Sequence, residues 1–321
     1  MISMKTRFAS VGAVAVAALL YGTPASAQST RTWVSGVGDD FNPCNRTAPC
    51  ATFAMAASKT TAGGEINCLD PGGFGAVTIT KSLTISCPYT EAGIFATGNG
   101  ILVNAASTDT VYLRGLDILG GSASGDGVRI VAAAAVHIED SVIRRFNGVN
   151  SFGVSVAVTS PIKLYISNST IAENGNGATG GGIDINPAVG GSVKAVMNNV
   201  RVRDNTQHGV RVNSANGVVT LVMTNMDTSG NAFGVWLQSG QAINAFLIDS
   251  VVVDNSIYGI VGNGAAVTMR TGNTTITGNA QGVTVIGGAQ LLTYGNNRSI
   301  RNPTWGPAND GSFIGGAQPT Q

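Results

Sequence analysis

Charge is scarce in this sequence. Only 11% of the 321 residues are Asp, Glu, Lys or Arg, divided into 18 basic and 17 acidic side chains. With a formal net charge of +1 there is neither a basic footprint for a phosphate backbone nor an acidic tail, so no nucleic-acid partner is expected. Long apolar runs are missing as well. Beyond the first 27 residues none approaches the roughly 18 residues needed to span a bilayer, and the stretch from Val128 to Ile138 is broken by Arg129 and His137. No transmembrane segment is expected in the mature chain. The sequence holds no H-E-x-x-H, G-x-x-x-x-G-K-[ST] or G-x-S-x-G, which removes the zinc-peptidase, P-loop and nucleophile-elbow readings. It also lacks the L-x-x-L-x-L frame of a leucine-rich horseshoe.

Glycine, with 44 residues, is abundant, and it marks a repeated phrase. The phrase reads Gly127-Val-Arg-Ile, Gly153-Val-Ser-Val, Gly182-Ile-Asp-Ile, Gly209-Val-Arg-Val, Gly234-Val-Trp-Leu, Gly259-Ile-Val and Gly282-Val-Thr-Val, ending at Gly306. Upstream runs a row of Asn147, Asn174, Asn205, Asn231, Asn255, Asn279 and Asn302. Six residues earlier lies a second polar row: Asn168, Asn199, Asn225, Asp249, Asn273 and Asn296. The shared period of 23–31 residues signals stacked coils and is too short for a propeller blade. β-Branched residues alternating with polar ones, between Gly and Asn, describe short strands. A coil of about three strands cannot bury its own apolar face; stacking does, each strand pairing with its copy one coil along. The expected fold is all-β: a single-stranded right-handed parallel β-helix of about nine or ten coils.

Residues 1–27 read as a secretory signal, with Lys5 and Arg7, an apolar run from Val11 to Tyr21, and Ala25-Ser26-Ala27 before the cut. The mature chain is expected to be secreted or periplasmic, with 16 basic against 17 acidic residues once Lys5 and Arg7 are removed. All four cysteines lie in residues 28–90, an even count that favours disulfides in an exported chain. Ile66-Asn67-Cys68 and Ile85-Ser86-Cys87 share a register, which pairs Cys68 with Cys87, while Cys44 and Cys50 close the loop between them. Zinc is the rival reading, but the spacings fit no common finger. Alanine-rich Thr52-Phe-Ala-Met-Ala-Ala-Ser-Lys59 is expected to form a short N-terminal capping helix over the open first coil. The division expected is signal 1–27, disulfide-tied cap 28–65, β-helix 66–306 and tail 307–321, with Pro303, Trp305 and Pro307 near the far end.

The pattern Trp33-Val34-Ser35-Gly36, Gly38-Asp39-Asp40, Asn42-Pro43-Cys44, Pro49-Cys50, Gly63-Gly64-Glu65-Ile66, Leu69-Asp70-Pro71-Gly72 and Ile79-Thr80-Lys81-Ser82 resembles the start of exported bacterial right-handed β-helix repeat proteins of the pectin-lyase-like superfamily. The resemblance covers about residues 31–90 in detail and the rest by repeat pattern. It implies the fold and a glycan-related context, since the superfamily spans lyases, glycosidases, epimerases, tailspikes and adhesins.

Three rows of side chains are candidates for function. The Asn row is expected to be an interior ladder, its members adopting the left-handed conformation and bonding to the Asn above and below. The second residue of each phrase should point outward, giving Arg129, Ser155, Asp184, Arg211, Trp236, Val261 and Thr284. Of these, Arg129, Asp184, Arg211 and Trp236 suit a sugar chain: Trp stacks on a ring and charges reach hydroxyls or carboxylates. The residues before the glycines (Phe152, His208, Phe233, Tyr258 and Trp305) are expected to stack in the interior or beneath a turn. The densest charge is Glu173, Asp204 and Asp254 with Arg201 and Arg203. Glu173 and Asp204, on adjacent coils, are the candidate catalytic pair of a lyase or hydrolase, with Ca²⁺ the one ion they could take. No other cofactor or metal is expected. The favoured expectation is a non-catalytic scaffold that binds polysaccharide or another surface; the alternatives are that enzyme and a purely structural surface protein.

Overall fold

The computed structural model describes residues 28–121, 125–177 and 179–302. The expected signal segment, Trp305 with its flanking prolines, and the tail lie outside the described residues. All paired strands run parallel, as stacked coils require. One coil is typical: the strand His208–Ser214 leads to Val219–Thr224, turns at Asn225, continues as Asp227–Ser229, and turns again at Gly230. The first strand of each coil joins a nine-stranded sheet that runs from Val77–Ile79 to Gln281–Ile286, one strand per coil. The other strands form the remaining walls, fused in places into bent twelve-residue strands such as Ser192–Arg203.

The core is a column, because inward residues repeat at each coil. Val210, Val235, Ile260 and Val283 stack from the nine-stranded sheet, facing Leu221, Ala245 and Met269 from the opposite wall, all buried. Each buried aliphatic side chain contributes about 1.5–3 kcal/mol.

The recurring glycine and the recurring asparagine turn out to be one device. Asn174, Asn205, Asn231, Asn255 and Asn279 are buried, and each offers Oδ1 to the backbone N–H of the ladder position one coil earlier. A Cβ on Gly209 would lie 2.9 Å from the Asn231 Nδ2 and 2.6 Å from the Gly234 carbonyl. The same conflict recurs at Gly153, Gly234 and Gly259. Glycine is therefore required where the ladder amide fills the corner.

Two expectations about this ladder are corrected. Asn147 is exposed and lies outside it; Phe146 occupies that rung, because Arg144 pairs with Ala172 and so sets Phe146 opposite Asn174. The left-handed residues are not the ladder asparagines. They are the second polar row (Asn168, Asn199, Asn225, Asp249 and Asn273) and the residues just before the ladder, including Arg145, Glu173, Asp204, Gly230 and Asp254. A ladder amide needs a fixed inward orientation for its bonds, whereas the turning itself is done one residue earlier and six earlier.

At the N-terminal end, Phe53–Lys59 forms one short helix, with Thr52 Oγ1 accepting from the Met55 N–H. Its Phe53, Ala56 and Ala57 are buried, and Phe53 meets Phe74 at 5.0 Å. Cys44–Cys50 and Cys68–Cys87 are disulfide-bonded with Cα separations of 4.7 and 5.0 Å, as the spacing predicts. Ile66 and Asn67 pair with Ile85 and Ser86, so the second bridge joins equivalent positions of adjacent coils. Replacing Cys68 and Cys87 by serine is expected to cost about 3 kcal/mol by loop-closure entropy. A urea midpoint unchanged in that double variant would contradict it.

Candidate functional site

The outward row has the register expected of it. Arg129, Ser155, Asp184, Arg211, Trp236, Val261 and Thr284 are successive partners across the nine-stranded sheet, about 4.8 Å apart. The chain thus brings Arg129, Asp184, Arg211 and Trp236 onto one outer face, but it does not present all of them to solvent. Asp184 is only 5% exposed, and Ser155 and Val261 are buried. Asp184 therefore acts beneath the surface: its Oδ1 accepts from Arg211 Nε at 2.7 Å and holds the guanidinium 4.8 Å above the Phe152 ring.

A residue that the repeat pattern conceals completes this face. Asp126, between Gly125 and Gly127, is buried; its Oδ1 accepts from the Phe152 N–H at 2.8 Å and its Oδ2 from Arg129 at 3.1 Å. The only sequence signal is a lone carboxylate between two glycines just before a strand. Burial pushes both carboxyls upward, that of Asp184 further raised by the charge of Asp126, while Arg129 and Arg211 oppose the shift.

Of the aromatic row, Phe152, His208, Phe233 and Tyr258 lie on this outer side as well; the expected stacking is present, but not in the interior. Its glycines direct their missing Cβ atoms inward, so the preceding residues point out. His208 stacks on Phe233 at 5.0 Å and Phe233 on Tyr258 at 5.8 Å, with interplanar angles of 27° and 21°. These rings give their faces to one another along the coil axis. Trp236 stands at 79° to Phe233, 4.9 Å away, so its face looks across that axis. His208 Nδ1 is buried without a partner among the described residues; burial and the nearby Arg211 cation hold the imidazole pKa down to about 4.

The charged row behaves differently. Glu173 and Asp204 do fall on adjacent coils, but their carboxylates serve different neighbours. Glu173 reaches back to Arg145, whose Nε lies 2.7 Å from Oε2, and this hydrogen bond holds the Glu173 carboxyl below its ordinary range. Asp204 Oδ1 instead packs over Gly230 of the following coil. Arg201 and Arg203 are exposed, paired in register with Asp227 and Ser229. Glu173, Asp204 and Asp254 are left-handed corner residues, and among the described residues no group of three or more His, Cys, Asp or Glu could hold a metal ion. The row does not form a calcium ligand set.

A second outer column, on the opposite wall, carried no signal in the glycine phrase. His137 lies between Tyr112 and Tyr165, with centroids 4.3 and 4.5 Å away and near-parallel rings. These faces too are occupied by one another.

No family model matches the chain, and no curated protein matches it. Among solved structures the chain is similar to the pectate lyase Pel9A, with 17% identity over 84% of this chain and 76% of that one, at a TM-score of 0.62. It is also similar to a rhamnogalacturonan lyase, with 13% identity over 82% of this chain and 84% of that one, at a TM-score of 0.54. The likeness is one of fold: the chain is a parallel β-helix, as those two structures are. Among the described residues no helix is long and apolar enough to cross a membrane.

Proposed function

We propose that this protein is an exported, non-catalytic scaffold that binds polysaccharide along the outer face of the nine-stranded sheet. The observation that carries this reading is the in-register row on which Trp236 turns its face across the stack while buried Asp184 anchors the Arg211 guanidinium. A sugar chain lying along the axis would meet an indole face, then Arg211 and Arg129, at intervals set by the coil repeat. Preorganised groups lose little freedom on binding. Both carboxylates of this face are already committed to arginines, which supports binding over acid–base turnover. The fold shared with two polysaccharide lyases gives the glycan context, and the signal-like segment with two disulfides supports a secreted or periplasmic location. In this reading residues 28–65 cap a β-helix that begins at residue 66.

The test is retention on a panel of immobilised polysaccharides, with new reducing ends and unsaturated-product absorbance followed in parallel. Trp236→Ala is expected to weaken retention on the order of tenfold, as loss of an aromatic anchor does. Turnover abolished by Asp204→Ala would replace this reading with an enzyme using Glu173, Asp204, Arg201 and Arg203. Neither retention nor turnover would leave a purely structural surface protein.

A further inference from the structure

The first coils carry a groove of about 510 Å³ on the wall away from the nine-stranded sheet, lined by Arg31, Trp33, Arg46, Glu65, Asn67 and Ser86 among others. Its volume is that of a small-ligand site, and its parts are unusually well fixed. The Trp33 backbone is clamped by the disulfide loop: its N–H donates to the Cys44 carbonyl at 2.8 Å, and its carbonyl accepts from the Cys50 N–H at 3.0 Å. Arg46 sits in the same loop, on a turn closed by Asn45 Oδ1, which accepts from the Thr47 and Ala48 N–H groups. Strand alternation points Arg31 and Trp33 outward while Thr32 and Val34 are buried.

The charge pattern selects the ligand. Glu65 is neutralised in place, accepting from Asn67 Nδ2 at 2.6 Å and from Arg31 at 2.9 Å, which together hold its carboxyl below the ordinary range. Arg46 has no such partner among the described residues. Nor does any ring stack on Trp33 or any acceptor meet its indole N–H among them. One indole face, one free guanidinium and the Ser86 hydroxyl thus converge on a groove over the Cys68–Cys87 bridge. We infer that this groove is a second site, separate from the nine-stranded face, which takes a pyranose ring bearing a carboxylate. Trp33 stacks on the ring, and Arg46 takes the carboxylate in a charge-assisted pair.

The surroundings confine the ligand to about one ring. Across Pro88 lies a neighbouring groove of about 570 Å³ that is lined by Glu91, Asp117 and Asp140. Of these, Asp117 is paired with Arg144 at 2.7 Å. A long acidic polymer would carry like charges into that groove, so the site suits a free monosaccharide or the end unit of a chain.

The inference is tested by calorimetric titration of the full chain with three probes: a free uronic acid, a short oligomer of it, and the same oligomer with its carboxyls reduced to alcohols. Binding of either acidic probe, weakened about tenfold or more in Arg46→Glu and in Trp33→Ala and absent for the reduced oligomer, is the expected result. The two acidic probes separate the sources, since a chain-end site binds the oligomer and a monosaccharide site binds both. Far-UV circular dichroism confirms that each variant keeps the fold. Equal binding of acidic and reduced probes, or no acidic binding, overturns the inference. Binding lost in Trp236→Ala but intact in Arg46→Glu also overturns it, while leaving the proposal for the nine-stranded face standing.

Discussion

Asn231→Ala is expected to destabilise the protein by about 4 kcal/mol, far more than Asn199→Ala in the neighbouring polar row. Asn231 Nδ2 donates to the carbonyls of Val202 and Ser229 and to Asn255 Oδ1, while its own Oδ1 accepts from the backbone N–H and Nδ2 of Asn205. Truncation strands the buried Asn205 N–H at about 1–3 kcal/mol and removes four further hydrogen bonds, worth about 0.5 kcal/mol or more each, from groups such as Asn255 Oδ1 and the Ser229 carbonyl that keep another partner. Asn199 is exposed and left-handed, with φ 54°, and its Nδ2 makes one side-chain bond, to Asn168. Its replacement should cost about 1 kcal/mol, mostly backbone strain. Equilibrium urea unfolding of the two variants decides the matter. Equal losses would mean that the ladder contributes no more than the turns.

Acid should weaken the fold through His208. Its imidazole pKa is lowered from the ordinary 6.5 to about 4, burial being the larger cause and the Arg211 cation the second. Because the folded value lies below the unfolded one, the unfolded chain binds more protons between these two pH values. Stability is therefore complete above about pH 6.5 and falls as pH drops toward 4, by up to about 3 kcal/mol. Asp126 and Asp184 act in the opposite sense. Their carboxyls are raised, so each detracts from stability above its folded pKa and that cost fades as pH falls through it. The His208 contribution is isolated by His208→Phe, since a phenyl ring can stack on Phe233 in its place and removes a buried Nδ1 that has no partner among the described residues. Melting temperature against pH should show the slope between pH 6.5 and 4 in the native protein and its loss in the variant. A slope that persists in the variant would place the acid sensitivity elsewhere.

The repeat was legible because every coil meets the same geometry. Val210, Val235, Ile260 and Val283 had to be apolar in step, while the intervening row of Arg211, Trp236, Val261 and Thr284 varies freely in residue type. The Cys68–Cys87 bridge was readable for the same reason: equal places in adjacent coils are neighbours. Errors began where a single residue of phase mattered. Asn147 matches the ladder by residue type, yet the rung belongs to Phe146. Residue type alone favours the left-handed conformation at the ladder Asn, although the turn is made by its predecessor, where Arg145, Glu173 and Asp204 sit. Asp126 lies in a turn with no copies, so no row drew attention to it.

By itself the sequence determined the coil period, the inward aliphatic rows, and the pairing of cysteines. These follow from periodic burial and from parallel stacking at one fixed spacing. Only the tertiary structure decided how side chains on the same row are used. Glu173 turns to the coil before and Asp204 to the coil after, Asp184 sinks beneath Arg211, and Trp236 stands across the rings that His208 and Phe233 share. A repeat places Cα atoms, but a side chain's direction depends on which neighbour offers a partner, and those neighbours differ from coil to coil.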